Sequence, residues 1–414
     1  MQPHVEGHPP ETEELVGTDG GKNEGSKTKL RIALIGTRGV PANYGGFETA
    51  VEEIGKRLVE RGHHVTVYCR IQSRERPSAY LGMNLVHLPA LRIKALETLS
   101  HSGVSVLHLG LRRRFDAAVV FNSANAPYIP LIRARGIPVA THVDGLEWKR
   151  TKWGGGGRRY YRRAEALAVR WSDALIADAQ GIADYYATEF DVGTDLIAYG
   201  APILTAARPQ HIDKLGLEPG KFHLVVARFE PENNVLTAVE GYRQSNCEYP
   251  LIVVGSAPYA HDYTNAVEAI AAGDPRIKLM GPVWDQDQLN ELYVYALSYV
   301  HGHSVGGTNP SLLRAMGAGT AVIAYDVVFN REVLGESGRF FSTAGDVARE
   351  LESYESAPDH AQGVGRDLQD RAAKHYDWED VADRYEALCR RLASGESQAG
   401  TASGRRRTAT HDES

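Results

Sequence analysis

Cysteines and long apolar segments are scarce in this 414-residue sequence. The three cysteines, Cys69, Cys247 and Cys389, lie far apart and show no metal-ligand spacing, which favours a reduced, cytoplasmic protein without a metal site. No apolar run reaches the roughly 18 residues of a membrane-spanning helix. The expected location is therefore the cytoplasm, with peripheral attachment to the inner face of the cell membrane as an open alternative.

Apolar side chains are also scarce at both ends of the chain. Residues 1–28 are acidic, glycine-rich and unlike a signal peptide, so we expect a disordered tail there. Residues 393–414 are expected to form a second disordered tail. The arginine run Arg405–Arg407 within it is interpreted as solvated, with a membrane or partner anchor as the alternative.

The sequence has no excess of basic charge, because its formal net charge is −6. This value argues against a dedicated nucleic-acid binder. The charge is unevenly distributed along the chain. Residues 29–200 contain 24 basic and 16 acidic residues, a net charge of +8, whereas residues 201–414 contain 20 basic and 30 acidic residues, a net charge of −10. Two segments of opposite sign predict two domains, one of which faces an anionic partner.

The first half of the chain has the pattern of a βαβ unit. KLRIALIG and HHVTVYCR are typical of buried strands, and FETAVEEIGKRLVERG between them has apolar residues at helical spacing and a glycine stop. This pattern predicts a parallel sheet. Further strands are predicted at MNLVHLP, AAVVFN, PVATHV, ALIAD and TDLIAY. Residues 29–200 are therefore predicted to form a Rossmann-like domain.

The alternation of predicted strands and helices begins again after YGAPI. Apolar runs that alternate with helical segments predict strands at KFHLVVARFE, YPLIVVGSA, RIKLMGPV, LSYVHGH and TAVIAYD. We expect a second Rossmann-like domain at residues 201–376 and a closing helix at residues 377–392. The predicted fold class is thus α/β, with two parallel-sheet domains that face a cleft. Ligands are expected at the carboxyl ends of the strands.

A glycine-rich segment, GTRGVPANYGGFETA, follows the first predicted strand. It does not match the fingerprint G-x-G-x-x-G, so a plain NAD-binding domain is not indicated. Gly45 and Gly46 precede a helix, where backbone N–H groups suit a phosphate or a closely approaching sugar, and Arg38 adds positive charge. A turn that needs glycine only for its geometry is the alternative.

Polar residues follow two further predicted strands. His142, Asp144 and Glu147 lie at or after the end of PVATHV, where such groups can orient sugar hydroxyls or accept a proton. Asp144 is the preferred catalytic candidate, and a structural histidine is the alternative for His142. In the second half, Arg228 lies in ARFEPENN, and the forked donors of a guanidinium suit a diphosphate.

Basic and aromatic residues are interleaved between Lys149 and Arg170. This composition suits an anionic membrane surface or a lipid-linked phosphate, and a solvated basic helix is the alternative. A platform for single-stranded nucleic acid is not favoured beside two Rossmann-like domains. The residues assigned to this acceptor or membrane surface are Glu147, Trp148, Lys149, Arg150, Trp153, Arg158 and Arg159.

The most specific segment is HGHSVGGTNPSLLRAM. Gly306, Gly307, Thr308 and Asn309 form a predicted flexible loop before a helix, which Ser311 is expected to cap. A helix N-terminus that follows glycines and small polar residues is a good seat for a phosphate. We therefore expect this loop to bind the phosphates of a nucleotide.

Taken together, these motifs resemble retaining glycosyltransferase family 4, which has the GT-B fold, and within it a bacterial subgroup that includes rhamnosyltransferases of polysaccharide biosynthesis. The segments that carry the resemblance are GTRGVPANYGGFET, VDGLEWKRTKWG, ALIADAQGIADYY, ARFEPENN and HGHSVGGTNPSLLRAM. The resemblance implies transfer of a sugar from a nucleotide-diphosphate donor to a hydroxyl with anomeric retention, without a metal or a further cofactor. It also implies a donor-binding second domain, an acceptor-binding first domain, and Asp144 or His142 beside the reacting sugar.

The resemblance assigns roles to further residues. Arg228 matches an arginine that contacts the donor diphosphate, and Asn233 replaces a family lysine. Gly45 and Gly46 match a glycine loop near the donor phosphate and the acceptor. The donor-binding set implied in this way is Arg228, Asn233, Gly306, Gly307, Thr308, Asn309 and Arg314.

Two family glutamates with the spacing E-x7-E correspond to Gly306 and Arg314 in this sequence. The first glutamate is usually absent from the subgroup, whose members tend to have the sequence GGTNPSLLEAM at this place. The second normally accepts hydrogen bonds from ribose hydroxyls, which an arginine cannot do. A deoxyribose donor such as dTDP-rhamnose loses fewer of these hydrogen bonds, because it has no 2′-hydroxyl.

Three functions stay open on this basis. The favoured one is an active hexosyltransferase with a lipid-linked or polysaccharide acceptor, in which Arg314 faces a phosphate or packs against an acidic neighbour. The alternatives are a catalytically weak or silent homologue retained as a binding partner, and a sugar-nucleotide epimerase. The basic and aromatic segment favours transfer to a lipid-linked acceptor over epimerisation.

Overall fold

Two parallel sheets with helices on their faces make up the chain, as the alternating strand and helix patterns predict. The computed structural model describes residues 28–42, 46–71, 75–91, 96–112, 115–143, 145–150, 153–205, 208–256 and 261–406.

An eight-stranded sheet forms the core of the first domain. In chain order its strands are β1 (Arg31–Ile35), β2 (His64–Arg70), β3 (Ala79–Tyr80), β4 (Met83–Leu88), β5 (Ala117–Phe121), β6 (Val139–Val143), β7 (Ala174–Ala177) and β8 (Asp195–Leu196). Their spatial order is β3-β4-β2-β1-β5-β6-β7-β8, and only β3 pairs antiparallel. Every strand predicted in this half is confirmed, whereas the two-residue β3 is not predicted from the sequence.

In the described part of this domain, five helices connect these strands. They are α1 (Gly46–Glu60), α2 (Glu97–Leu111), α3 (Ile129–Arg133), α4 (Gly155–Trp171) and α5 (Gln180–Phe190). Helices α2 to α5 bury their apolar sides against one face of the sheet, and α1 packs on the other face. Two 3-10 helices, Ser123–Tyr128 and Glu147–Lys149, follow β5 and β6.

A six-stranded parallel sheet forms the core of the second domain. Its strands are β9 (His223–Val226), β10 (Leu251–Val254), β11 (Ile277–Gly281), β12 (Ser298–His301), β13 (Ala321–Tyr325) and β14 (Arg339–Phe341). Their order, β11-β10-β9-β12-β13-β14, is the 3-2-1-4-5-6 order of a Rossmann sheet. The strands β10 and β13 are continuous apolar runs because helices cover both faces of the sheet.

Within the described residues, eight helices accompany the second sheet. They are α6 (Gln210–Lys214), α7 (Val235–Gln244), α8 (His261–Ala271), α9 (Gln286–Tyr295), α10 (Pro310–Gly317), α11 (Val328–Leu334), α12 (Ala344–Ser356) and α13 (Pro358–His375). The 3-10 helices Pro231–Asn233 and Gly335–Ser337 complete this domain. The α/β prediction with two Rossmann-like domains is confirmed.

The last helix, α14 (Trp378–Ala393), returns to the first domain and packs on α1. Glu379 of α14 accepts hydrogen bonds from Arg57 at 2.6 Å and from Arg61 at 3.0 Å. Trp378 covers Gly200 at the junction, where a Cβ would lie only 2.3 Å from the indole ring. The helix thus holds both domains together, while the boundaries predicted at residues 200 and 376 stay predictions.

The segment after α14 is described as far as Arg406 and lies against the first domain. Ser397 donates to the Asp173 carboxylate at 2.5 Å, and the Arg406 guanidinium lies 2.6 Å from a carboxylate oxygen of the buried Glu165. This differs from the disordered, solvated tail predicted from composition, because Arg406 supplies the counter-charge that a buried carboxylate needs. Residues 1–27 and 407–414 lie outside the described residues.

Candidate active site

The carboxyl ends of the two sheets meet in a cleft between the domains. A Cβ on Gly145, after β6, would lie 2.8 Å from the Gly306 carbonyl carbon. A Cβ on Gly46, at the start of α1, would lie 2.9 Å from the Pro310 ring. Side chains at either glycine would force the loops apart. The glycine-rich loops of the two domains therefore face each other, at the sheet edge where parallel α/β folds bind ligands.

The loop Gly306–Asn309 joins β12 to α10. The Asn309 side chain accepts a hydrogen bond from the Ser311 N–H at 2.9 Å, and Pro310 occupies the first helical position. Asn309 is thus the N-cap, and the prediction that Ser311 caps the helix is wrong because the cap lies two residues earlier than expected. The Ser311 hydroxyl instead donates to Asn309 Oδ1 at 2.8 Å.

Two residues of this loop contact the first domain. The Thr308 hydroxyl donates to the Asp178 carbonyl at 2.5 Å, and a Cβ on Gly307 would lie 1.9 Å from Asp178 Oδ1. Burial, with a smaller contribution from Glu332, raises the pKa of Asp178 to about 7. Asp178 is not predicted as a site residue from the sequence. The one available signal is its position, directly after a buried strand.

A second acidic contact lies beside the first. Glu332 of α11 accepts from the backbone N–H of Gln180 through both carboxylate oxygens, at 2.8 and 3.1 Å. Gln180 is the first residue of α5, so the carboxylate of one domain lies at a helix N-terminus of the other, where negative charge is favourable. Asp178 and Glu332 together dock α10 and α11 on the carboxyl end of β7.

Arg228 extends an exposed guanidinium just beyond the end of β9, and its contact with a diphosphate stays a prediction. Its Nη2 lies 3.5 Å from Glu230 Oε2. Asn233 is buried, and its side-chain amide donates to the Arg228 carbonyl at 2.8 Å. Asn233 therefore supports the turn that presents Arg228, and it does not replace the positive charge of a lysine.

Arg150 reaches the same region from the first domain. Its guanidinium lies 2.6 Å from the Glu147 carboxylate and 3.9 Å from carboxylate oxygens of Glu230 and Glu232 in the second domain. Glu147 is buried and also accepts from the Trp153 indole N–H at 3.3 Å. The structure thus places Glu147 beneath Arg150 and not on the exposed surface to which the sequence assigns it.

His142 is fully buried at the end of β6. Its ring stacks between Phe121 and Tyr199, with centroid distances of 5.6 and 5.8 Å, and Phe47 meets it edge-on at 5.2 Å. Burial lowers its pKa to about 3, so the ring is neutral. Neither ring nitrogen has a hydrogen-bond partner among the described residues. These contacts are those of a structural histidine, the alternative that the sequence leaves open.

The predicted glycine loop of the first domain is described in part. Gly46 begins α1, and the backbone N–H of Arg38 donates to Glu48 Oε1 at 3.0 Å. The Arg38 guanidinium lies 3.9 Å from Glu97. Gly45 and the preferred catalytic candidate Asp144 lie outside the described residues. Both roles stay predictions.

Arg314 projects from the first turns of α10 towards α9. Its guanidinium donates to the Gln286 side chain at 2.9 Å. Among the described residues Arg314 forms no ion pair, so the acidic neighbour expected as one alternative is not found there. A cation thus occupies the position at which the resemblance places the ribose-binding glutamate.

The predicted acceptor surface divides into a packed part and an exposed part. Trp148 contacts two cations, with Lys149 Nζ at 5.4 Å and the Arg162 guanidinium carbon at 5.2 Å from its ring centroid. Arg158 and Arg159 are exposed on α4. The arginines and Lys149 therefore supply the positive charge of this surface.

A group that could hold a metal lies at the opposite end of the second sheet. His223, Cys247 and Glu355 bring their ligand atoms within 4.8 Å of one another at the amino end of β9. The His223 ring already contacts Ser298 Oγ at 2.8 Å and Glu355 at 3.1 Å. Hydrogen bonds thus account for this cluster, which is remote from the cleft.

Comparison with known protein families gives one match in each of the two domains. Residues 45–199 match the glycosyl transferase 4-like domain, and residues 221–354 match the glycosyl transferases group 1. Sucrose-phosphate synthase from Thermosynechococcus elongatus has a similar structure, with a TM-score of 0.76 and 20% identity over 88% of this chain and 100% of that one. The chain is a glycosyltransferase of the GT-B type.

Other solved structures are similar to this GT-B glycosyltransferase. HepE from Anabaena, in complex with UDP and glucose, has a TM-score of 0.69 and 16% identity over 87% of this chain and 99% of that one. A glycosyltransferase from Rickettsia africae has a TM-score of 0.67 and 14% identity over 89% and 99%. Identities this low support the shared fold alone. No curated protein sequence matches the chain significantly.

Proposed function

We propose that this GT-B glycosyltransferase moves a hexose, with rhamnose the first candidate, from a nucleotide-diphosphate donor to a lipid-linked or polysaccharide acceptor with anomeric retention. The observation that carries the proposal is the meeting of two helix N-termini across the cleft. The loop Gly306–Asn309 before α10 faces Gly46 at the start of α1. Helix N-termini attract anions, so a diphosphate beside the point where they meet is favoured by both.

The exposed guanidinium of Arg228 supports the same assignment. It lies at the switch point beside β12, where its forked donors suit a diphosphate. The structure of HepE in complex with UDP-glucose supports a nucleotide-sugar donor for this fold. Arg314 cannot accept hydrogen bonds from a ribose, which favours a deoxyribose donor such as dTDP-rhamnose.

A catalytically weak or silent homologue is the second candidate. Arg314 favours it, because the guanidinium bonded to Gln286 stands where a carboxylate would hold the ribose. In that case the chain would serve as a binding partner of an active transferase. The intact cleft and the exposed Arg228 favour the active enzyme.

A screen of nucleotide sugars for thermal stabilisation identifies the donor, since a ligand that binds only the folded state raises apparent stability. Calorimetry then compares the wild type with Arg228→Ala and Arg314→Glu. We expect Arg228→Ala to weaken donor binding by roughly 10- to 100-fold, as loss of a charge-assisted contact predicts. Arg349→Ala, an exposed site on α12, is the control.

The outcomes separate the candidates. No detectable binding by the wild type, with binding restored in Arg314→Glu, contradicts the active enzyme and supports the silent partner. Release of nucleotide diphosphate only in the presence of acceptor excludes an epimerase. The anomeric configuration of the product, read by NMR, tests retention.

A further inference from the structure

Helix α2 exposes a row of apolar side chains. Val104, Leu107 and Leu111 are 36%, 66% and 87% exposed, and they follow one another at helical spacing. The opposite side of the same helix is buried through Val106 and Leu109. A contiguous apolar row on the outside of a domain core marks an interaction site.

Helices α3 and α4 continue the same outer layer. Both bury their inner residues in the cluster that also holds α2, so the three helices cover one face of the sheet. The Tyr128 hydroxyl donates to the Leu99 carbonyl of α2 at 2.9 Å, and the Tyr160 hydroxyl of α4 donates to the Ala124 carbonyl at 2.7 Å. Leu131 of α3 is 53% exposed between them. We call the outward side of these helices the α2–α4 surface.

The charge of the α2–α4 surface is mainly positive. The acidic Glu97 at the start of α2 is paired with Arg38 and Arg70, and Arg133 of α3 is paired with Asp173. Its exposed charged residues, within the three helices, are Arg133, Arg158, Arg159, Arg162, Arg163 and Arg170. The acidic Glu165 of α4 points inwards to Tyr185 and Arg406. On α4, Arg158, Arg159, Arg163 and Arg170 form no ion pair with a described residue. Guanidinium groups without carboxylate partners are suited to phosphate.

We propose that the α2–α4 surface binds an anionic lipid bilayer, with Val104, Leu107 and Leu111 entering the interface and the α4 arginines contacting lipid phosphates. An apolar row beside a cationic row is the pattern of helices that lie on anionic membranes. A second copy of the chain fits less well, because a symmetric contact would bring the arginines of both copies together.

Membrane binding gives the cleft access to a lipid-linked acceptor. Helix α4 follows β6 and the 3-10 helix Glu147–Lys149, so its first turns begin beside the cleft. Access to a lipid-linked acceptor is the only part of the inference that rests on the proposed function. Membrane binding itself is independent of it, since lipid binding is measured without donor or acceptor. The described parts of the chain contain no helix with the length and apolar character needed to cross a bilayer.

Sedimentation of the full-length protein with vesicles of phosphatidylcholine, with and without phosphatidylglycerol, tests the proposal. We expect binding to the phosphatidylglycerol vesicles that falls as the salt concentration rises. Two variants, Leu107→Ser/Leu111→Ser and Arg158→Gln/Arg159→Gln, should each weaken it at least roughly tenfold. Arg349→Gln/Arg366→Gln, on the second domain, is the charge-matched control and should bind as the wild type does.

Calorimetry measures donor binding by the same variants, and we expect it to be unchanged. Because lipid binding and donor binding are measured separately, failure of this inference is distinguishable from failure of the proposed function. A wild type that does not sediment with anionic vesicles overturns the inference, as do surface variants that bind as well as the control. A concentration-dependent dimer that is lost in Leu107→Ser/Leu111→Ser also overturns it, because a second copy would then cover the surface.

Discussion

Burial shifts two titratable groups beside the cleft towards their uncharged forms. The pKa of His142 falls to about 3 inside a cage of aromatic rings. The pKa of Asp178 rises to about 7 at the contact between the domains. Desolvation is the main cause in both cases, because it penalises the charged form. The two residues nevertheless differ, since Asp178 can titrate in the neutral range and His142 cannot.

At the residue scale we predict that His142→Phe leaves activity intact and does not destabilise the fold. The ring nitrogens have no partner among the described residues, so an apolar ring of similar size removes an unsatisfied polar group. The free energy of unfolding should stay the same or rise by about 1–2 kcal/mol. Denaturant unfolding and a donor-dependent transfer assay measure the two effects.

His142→Ala is the matched control for this substitution. It leaves a cavity between Phe121 and Tyr199 and should cost about 2–5 kcal/mol, as other large-to-small core substitutions do. A stable His142→Phe variant without transfer activity would show instead that the imidazole takes part in the reaction.

At the scale of elements, the contact between the loop before α10 and the end of β7 controls how the domains meet. Thr308 and Gly307 pack on Asp178, and Glu332 of α11 binds the first N–H of α5. The sequence predicts the loop, because its glycines and the following helix are local signals. It does not predict the partner, because Asp178 lies 130 residues away from Thr308 in the chain.

We predict that this contact makes stability depend on pH. The pKa of Asp178 is about 7 in the folded state and near 3.9 for a free carboxyl, so folding favours the protonated form. The contribution is fully present below about pH 4 and is lost as the pH rises through about 7. Asp178→Asn removes this titration. The stability of the variant relative to the wild type should therefore increase between pH 5.5 and pH 8, on the order of a few kcal/mol.

Thermal or denaturant unfolding at several pH values measures this difference. Asp184→Asn, at an exposed position in the neighbouring helix α5, is the control, and its stability should depend on pH as that of the wild type does. Curves for Asp178→Asn that also run parallel to the wild type would contradict the assignment of the titrating group.

Strand and helix assignments from the sequence succeed where a pattern is long. Buried parallel strands such as β10 and β13 are continuous apolar runs, because both of their faces are covered. The strands β3 and β14 are not predicted, since Ala79–Tyr80 and Arg339–Phe341 lie in segments without a sustained apolar run. The segment after α14 is also misjudged, because its order depends on Arg406 finding Glu165 in the folded domain.

At the scale of the whole molecule, α14 holds the two domains in one arrangement. Its apolar side is buried through Trp378, Tyr385 and Leu388, and exposed ion pairs to Arg57 and Arg61 line its edge. Exposed ion pairs contribute little, whereas a buried tryptophan contributes several kcal/mol. The packing of Trp378 on Gly200 is therefore the stronger part of the connection.

We predict that Trp378→Ala lowers the free energy of unfolding by about 3–5 kcal/mol, because it opens a cavity at the junction of the domains. The neighbouring Glu379→Ala should cost no more than about 1 kcal/mol, since Glu379 is exposed. Denaturant unfolding of both variants makes the comparison. Equal losses in the free energy of unfolding would contradict the larger contribution of the indole to the connection between the domains.

The sequence by itself determines the two Rossmann-like domains, the glycine-rich loops at strand ends and the position of Arg228, because each depends on residues close together in the chain. Only the tertiary structure decides which loops meet, that Glu147 lies buried under Arg150, and that His142 is enclosed by aromatic rings. It also decides that the leucines of α2 and the arginines of α4 share one outer layer. These features depend on contacts between distant segments, which local patterns do not specify.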